Sequence, residues 1–263
     1  MQLTEKYRPQ TLSDIRGQSL IVRLLKSFCR KPSSKAFIFS GPAGCGKTSA
    51  AYAIARELGC DMTVKPLATG GCFEVASGEL TADNVREMFK STLCYRPFFG
   101  SGYKVLICNE ADAMSRQAAI IFLDVLEHLP EKLVVIFTTN NPENFESRLK
   151  QRCECHAFKT PIRGFDQPDS PAEIAAQELI DDVWQKELGH NHSPKLSDLE
   201  GWKENGNLSF RSVLAALEPL IRLQREDDEA AAAKPYVAPI APVNSRVSAM
   251  DEMAAAAAFF ARA

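Results

Sequence analysis

Through the first 160 residues the chain alternates between two hydrophobic rhythms. Short, unbroken apolar runs stand at 36–40, 73–76, 103–108 and 133–138, with a further one at 153–158. Each has the length of a strand, and none shows the in–out alternation of a sheet with one wet face. They therefore predict strands covered on both sides. Between them, at 19–31, 47–58, 82–91 and 116–129, apolar residues recur at helical spacing. Strands and helices in alternation predict an α/β core, a parallel sheet sandwiched by helices.

Beyond a Pro-, Gly- and Asp-rich stretch at 161–171 the strand rhythm stops. Ser170-Pro171-Ala172-Glu173 has the form of a helix start: a Ser cap, Pro in the first position and Glu three residues after the cap. The helix it opens is expected to run to Leu188 and stop at Gly189. Shorter helices are expected over 197–205 and 209–225, the last bent or ended by Pro219. From Glu226 an acidic run gives way to alanines and then to Pro235, Pro239 and Pro242, which reads as a linker over 226–249. Residues 250–263 are Ala-rich around Phe259 and Phe260, enough for a marginal short helix. The expected division is an α/β core over 1–160, a small all-helical domain over 161–225, and an Ala/Pro-rich linker and tail over 226–263.

Composition fits this picture. With 263 residues, 45% hydrophobic and 24% charged, the chain can bury a core without staples. No apolar run reaches eighteen residues and the first residues lack the apolar stretch of a signal peptide, so a cytoplasmic protein with no membrane partner is expected. Eight cysteines (29, 45, 60, 72, 94, 108, 153 and 155) are scattered with no Cys-x-x-Cys, which reads as reduced thiols. Cys153-Glu154-Cys155-His156 falls on a predicted strand whose alternate residues face opposite sides, which argues against a metal site there. The net charge of −2 hides an asymmetry. Residues 1–160 carry 21 Lys and Arg against 16 Asp and Glu; residues 161–263 carry 10 against 17. Only the first part is suited to face a polyanion.

The strongest chemical signal is Gly41-Pro42-Ala43-Gly44-Cys45-Gly46-Lys47-Thr48, followed by Ser49, between a predicted strand and a predicted helix. In that setting a Gly-rich loop turns its backbone N–H groups onto phosphates. Lys47 supplies a charge for the β/γ-phosphates, and the Thr48 hydroxyl serves Mg²⁺. A second signal is the apolar strand 105–108 ending in Asn109-Glu110-Ala111-Asp112. An ATPase commonly has two acids here, one organising the Mg²⁺ shell and the next polarising the attacking water. Glu110 fills the second role, whereas Asn109 can reach a metal-bound water only through its carbonyl, without the charge. Weaker Mg²⁺ organisation and slower hydrolysis follow. The strand at 133–138 leads to Thr139-Asn140-Asn141, where the Asn140 amide can position the lytic water. Arg152, before the last strand, and Arg211, at the start of a helix in the small domain, are candidates for meeting charge on a transferring phosphoryl group.

Together these motifs resemble the AAA+ ATPases, and most closely the sliding-clamp loader subunits: the replication factor C small subunit, its phage counterparts and the bacterial gamma/delta-prime type. The opening Glu5-Lys6-Tyr7-Arg8-Pro9-Gln10-Thr11-Leu12-Ser13-Asp14-Ile15-Arg16-Gly17-Gln18 carries the likeness, and Asn84-Val85-Arg86-Glu87-Met88-Phe89, Asn109-Glu110-Ala111-Asp112-Ala113-Met114 and Gln151-Arg152-Cys153 follow in family order. By that resemblance, Tyr7, Arg8, Ile15 and Gly17 frame the base of ATP and Asn140 is the sensor at the strand tip. Arg211 is the lid sensor acting in cis, and Arg152 is the arginine finger reaching a neighbouring subunit's ATP. Gln151 stands where the family's finger motif has Ser. The resemblance implies ATP and Mg²⁺ as cofactors, and primer–template DNA, a sliding clamp and other loader subunits as partners in DNA replication. Arg86, Lys90 and Arg116 are then candidates to face DNA phosphates. Two departures qualify the expectation. Asn109 replaces the usual acid, and only 38 residues follow Arg225, too few for the family's helical collar. A nucleotide-sensing structural or regulatory subunit with little hydrolysis, or another AAA+ DNA-remodelling role, stands as the alternative.

Overall fold

The computed structural model describes residues 1–63, 70–92, 100–162, 169–189 and 192–232. The apolar runs of the first part are its strands: β1 (Lys35–Ser40), β2 (Cys72–Val75), β3 (Lys104–Cys108), β4 (Leu133–Thr139) and β5 (Glu154–Ala157). They form one parallel sheet in the order β2-β3-β4-β1-β5. Every residue of the two strands β3 and β4 is buried, as expected where helices cover both faces.

Because side chains alternate along a strand, each strand feeds two cores. Phe37, Phe39, Val105, Ile107, Val134 and Ile136 point to one face and pack with Ala50, Ala53 and Ile54 of the helix α3 (Lys47–Glu57). Ile38, Leu106, Leu133, Val135 and Phe137 point to the other, against Val85 of α4 (Ala82–Glu87) and Phe122 of α5 (Arg116–Glu127). Helix α2 (Ser19–Arg30) lays Ile21 and Leu25 on the first face, and α6 (Ser147–Arg152) lays Leu149 on the second. After Glu87 the expected helix over 82–91 loosens into a wider π-type turn, Met88–Thr92.

The helix over 171–188 is present as α7 (Pro171–Leu188). Ser170 and Glu173 close its capping box, and Gly189 ends it at φ 79°. The expected helix over 197–205 is instead a short 3₁₀ turn, Leu196–Asp198, and a two-stranded antiparallel hairpin, β6 (Lys203–Glu204) with β7 (Asn207–Leu208). The reason is local: Asn205 and Gly206 both take positive φ, which folds the chain back where a helix would have to continue. Helix α8 (Phe210–Ala232) runs through Pro219 and over the first part of the expected linker. A Pro inside a helix removes one hydrogen bond, a loss that Leu217 and Ile221, both buried around it, offset by packing. The tail from 233, including Phe259 and Phe260, lies outside the described residues, as do 163–168 of the boundary stretch.

A third core gathers Ile180, Val183 and Trp184 of α7 with Trp202, Leu208, Val213 and Leu217. The N-terminal helix α1 (Leu3–Lys6) contributes Leu3 to it, and Tyr7 packs at its margin. Further along the segment, Leu12 and Ile15 enter the core of the sheet. The opening segment thus joins the two, and residues Met1–Leu223 form one compact unit.

Phe137 lies fully buried with the Phe122 ring 5.0 Å away and the Phe145 ring 5.6 Å away. Phe137→Ala is expected to cost about 3–5 kcal/mol of unfolding free energy in urea denaturation, whereas Ile120→Ala, an exposed position on the same side, is expected to cost under about 0.5 kcal/mol.

Candidate nucleotide site

The sheet order makes β1 a neighbour of β4 and β4 a neighbour of β3, so three carboxyl ends open onto one crevice. The loop 41–46 leaves β1 there and α3 begins at Lys47, with Gly46 as its left-handed cap. Gly41, Gly44 and Gly46 take φ of 146°, 71° and 99°, a sequence of turns that carries the loop around to the positive end of the α3 dipole. Pro42, Ala43 and Cys45 complete the loop, and Thr48 and Ser49 lie in the first turn of α3.

Lys47 is 8% exposed. Its Nζ donates to the Gly41 carbonyl at 2.8 Å, the Pro42 carbonyl at 2.7 Å and Asn140 Oδ1 at 2.9 Å, and lies 3.8 Å from Cys45 Sγ. All these partners are neutral, and no described carboxylate forms an ion pair with Lys47. Burial therefore pushes the ammonium below its ordinary pKa. The crevice thus holds a buried ammonium with no described carboxylate paired to it.

Asn109 begins where β3 ends. Its Oδ1 accepts from Thr48 Oγ1 at 3.2 Å and from Thr138 Oγ1 at 3.1 Å, and its Nδ2 donates to Glu74 Oε1 at 2.6 Å. Glu110 takes φ 50°, a left-handed conformation that a residue with a side chain enters at a cost of roughly 1–3 kcal/mol. Its backbone N–H is held by Thr138 Oγ1 at 3.3 Å, and its carboxylate is exposed at the rim of the crevice. Asn141 Nδ2 donates to Asp112 Oδ2 at 3.1 Å, bracing the tip of β4 against the turn that follows β3.

The opening segment and α8 close the other side. Ile15 is buried beside Gly46, and Gly17, at φ 70°, lies against the Phe210 ring. The Phe210 N–H donates to the Gly44 carbonyl at 3.2 Å, and a Cβ on Gly44 would overlap Ser209 Oγ. Arg211 follows at the first turn of α8, exposed, its Cβ near Gly44. Tyr7 donates its hydroxyl to Glu187 Oε1 at 2.6 Å, and Arg8 lies over the Tyr52 ring at 5.3 Å.

The crevice thus brings together Lys47, Thr48, Asn109 and Asn140 directly, with Glu110 at its rim and Ile15, Gly17 and Arg211 on the flank. It does not bring in Arg152. That residue ends α6, where its guanidinium pairs with Glu127 of α5 and donates to the Arg148 carbonyl at 3.3 Å. Arg86 pairs with Asp83 at 3.2 Å on exposed α4, and Lys90 and Arg116 are exposed. Thr138, Glu74, Tyr52 and Ser209 were absent from the sequence-level site. Glu74 was detectable in principle, as a carboxylate interrupting an otherwise apolar strand; Ser209 was not, because only the fold carries it to Gly44.

Residues 37–161 match the family described as ATPase family associated with various cellular activities (AAA). A replication factor C small subunit of Haloarcula marismortui is 34% identical over 178 residues, which cover 67% of this chain and 53% of that protein. Protein STICHEL of Arabidopsis thaliana is 28% identical over 232 residues, 81% of this chain and 19% of that protein. The chain spans about half the length of the replication factor C relatives it matches. Among solved structures, the RuvB Holliday junction branch migration motor of Thermotoga maritima shares the fold, with a TM-score of 0.55 and 15% identity over 86% of this chain and 68% of that one.

Gly44→Ala is expected to cost about 1–3 kcal/mol in chemical denaturation, because the added methyl meets Ser209 in a left-handed backbone. Coupling Gly44→Ala with Ser209→Gly is expected to recover the part due to overlap, leaving the smaller cost of the backbone conformation.

Proposed function

We propose that this chain, which carries an AAA-family domain, is an ATP-binding and ATP-hydrolysing subunit of clamp-loader type that works on primed DNA in replication. The observation that carries the reading is the buried Lys47 ammonium, surrounded by neutral oxygens at the start of α3 and within hydrogen-bond distance of Asn140. Such a charge calls for an anionic ligand. The likeness to replication factor C small subunits supports the choice of assembly and substrate.

In this reading the N–H groups of 43–46, with Lys47, hold the phosphates. Ile15, Gly17, Tyr7 and Arg8 lie on the side of the base. Thr48 and the Asn109 carbonyl are an oxygen donor set of the kind Mg²⁺ takes, directly or through water. Mg²⁺, when bound, neutralises developing charge on the phosphate oxygens. Glu110 accepts a proton from the attacking water, and Asn140 orients that water by its amide. Arg211 reaches the phosphates from the lid within the same chain. Arg152 lies away from its own crevice, as a finger acting on a neighbouring subunit must; it would leave Glu127 on assembly. Arg86, Lys90 and Arg116 are offered to DNA phosphates. A cytoplasmic location is part of the same proposal; among the described residues no helix is long and apolar enough to cross a membrane.

Asn109 in place of an acid favours one competing reading, a nucleotide-sensing subunit that binds ATP and leaves hydrolysis to a partner. ATP turnover against protein concentration, with and without primed DNA, separates the two. A loader subunit gives turnover per chain that rises with concentration and with DNA; a sensing subunit binds ATP tightly and gives none. Lys47→Ala is expected to weaken ATP binding by roughly a hundredfold, as loss of a charge-assisted contact to phosphate. Glu110→Gln is expected to retain binding and slow turnover by about 10²–10⁴-fold, read by phosphate release. Arg152→Ala is expected to bind ATP normally and to lose turnover only in the assembled state. Full activity of that variant in assembled material would sink the finger assignment.

A further inference from the structure

Two periodicities meet at the edge of the sheet beside the crevice. On β2 the residues Cys72 and Glu74 face the α3 side, and Phe73 and Val75 the opposite core. One strand over, Ile107 and then Asn109 face the α3 side as well. On α3, Thr48 and Tyr52 are four residues apart and share a face. Four polar groups from three elements therefore converge at the solvent-exposed edge of the sheet: Tyr52, Glu74, Asn109 and Thr48.

Glu74 sits at their centre. One carboxylate oxygen takes the Tyr52 hydroxyl, and the other takes Asn109 Nδ2 at 2.6 Å. Among the described residues no salt bridge takes up its charge. An ionised carboxylate only accepts hydrogen bonds, so it can face only the NH₂ end of the Asn109 amide. That leaves the Asn109 carbonyl facing Thr48 and Thr138, two hydroxyl donors. Without Glu74 the amide is free to turn over and present NH₂ to Thr48, the side on which a divalent cation belongs.

We propose that Glu74 is a positioning residue for the cation that accompanies the nucleotide: it locks the Asn109 amide with its carbonyl toward Thr48, and it supplies from the neighbouring strand the negative charge that position 109 lacks. This rests on the nucleotide-site reading. Groups that hydrogen-bond a metal's ligands without touching the metal commonly tune its affinity by ten- to a hundredfold, and here such a group, Glu74 on Asn109, carries the charge that position 109 lacks. Tyr52 fixes the far oxygen of Glu74, and burial together with the Glu74 hydrogen bond pushes the Tyr52 phenol well above its ordinary pKa, so it remains a donor.

The test is nucleotide affinity with EDTA and across a Mg²⁺ titration, using ADP and a non-hydrolysable ATP analogue on the full chain. In the unsubstituted protein Mg²⁺ is expected to tighten binding. Glu74→Gln keeps an acceptor and loses the charge. It is expected to retain the EDTA affinity and the melting temperature, and to need roughly tenfold more Mg²⁺ for the same tightening. Glu74→Leu, which also frees the amide to turn, is expected to need more again. Asn109→Asp placed in Glu74→Gln moves the charge back to position 109 and is expected to restore the Mg²⁺ response. Unchanged Mg²⁺ titrations in both Glu74 variants would overturn the proposal. So would an equal loss of affinity in EDTA and in Mg²⁺, or a double variant no better than Glu74→Gln. If the unsubstituted chain binds no nucleotide under any condition, the nucleotide-site reading falls first, and this one with it.

Discussion

A buried, unneutralised ammonium organises the centre of this molecule. Lys47 is held inside the turn it terminates, donating to carbonyls of its own loop and to the tip of β4. Burying a charge against neutral dipoles costs several kcal/mol unless a counter-charge arrives. The surrounding fold tolerates that cost by burying β1, β3 and β4 on both faces, which fixes the crevice in advance. A ligand with negative charge then relieves a strain already stored, and binding is coupled to stability by simple linkage.

The same coupling reaches α7 and α8 through two short paths, one along the chain and one across a contact. The chain from Leu3 to Ile15 has one end in the α7–α8 core and the other in the sheet. The start of α8 rests on the loop itself, through the Phe210–Gly44 hydrogen bond and the close approach of Ser209. A change in the path of the loop therefore moves the beginning of α8. The crevice and the start of α8 are thereby in direct contact within one compact unit, with Gly17 and Gly44 as the positions that tolerate the required backbone.

What could be read from the sequence, and what could not, divides along the range of the forces involved. The five strands, α2, α3, α5 and α7 were legible because each is set by local rhythm and punctuation, Ser170 and Gly189 being the clearest marks. The loop and Lys47 were legible because phosphate chemistry requires those residue types in that order. The hairpin at 203–208 was missed because short polar turns with Asn205 and Gly206 look alike whether they join helices or strands. Helix α8 was legible over 209–225 but not its continuation to Ala232, because the acidic and Ala-rich residues from 226 read as linker. Ser209 and Tyr52 escaped altogether, since their relevance depends on which elements become neighbours.

Asn109 shows why a motif position should be judged with its surroundings. Read alone, an amide where a carboxylate is common means a missing charge. In the fold that amide is wedged between two hydroxyls and a carboxylate, and only one of its two orientations satisfies all three. An Asp at 109 would face Glu74 at hydrogen-bond distance with no donor between them, and the like charges would repel. The substitution at 109 and the carboxylate at 74 are therefore physically coupled. Either residue can carry the charge, and Asn109 is the choice that lets Glu74 carry it without repulsion.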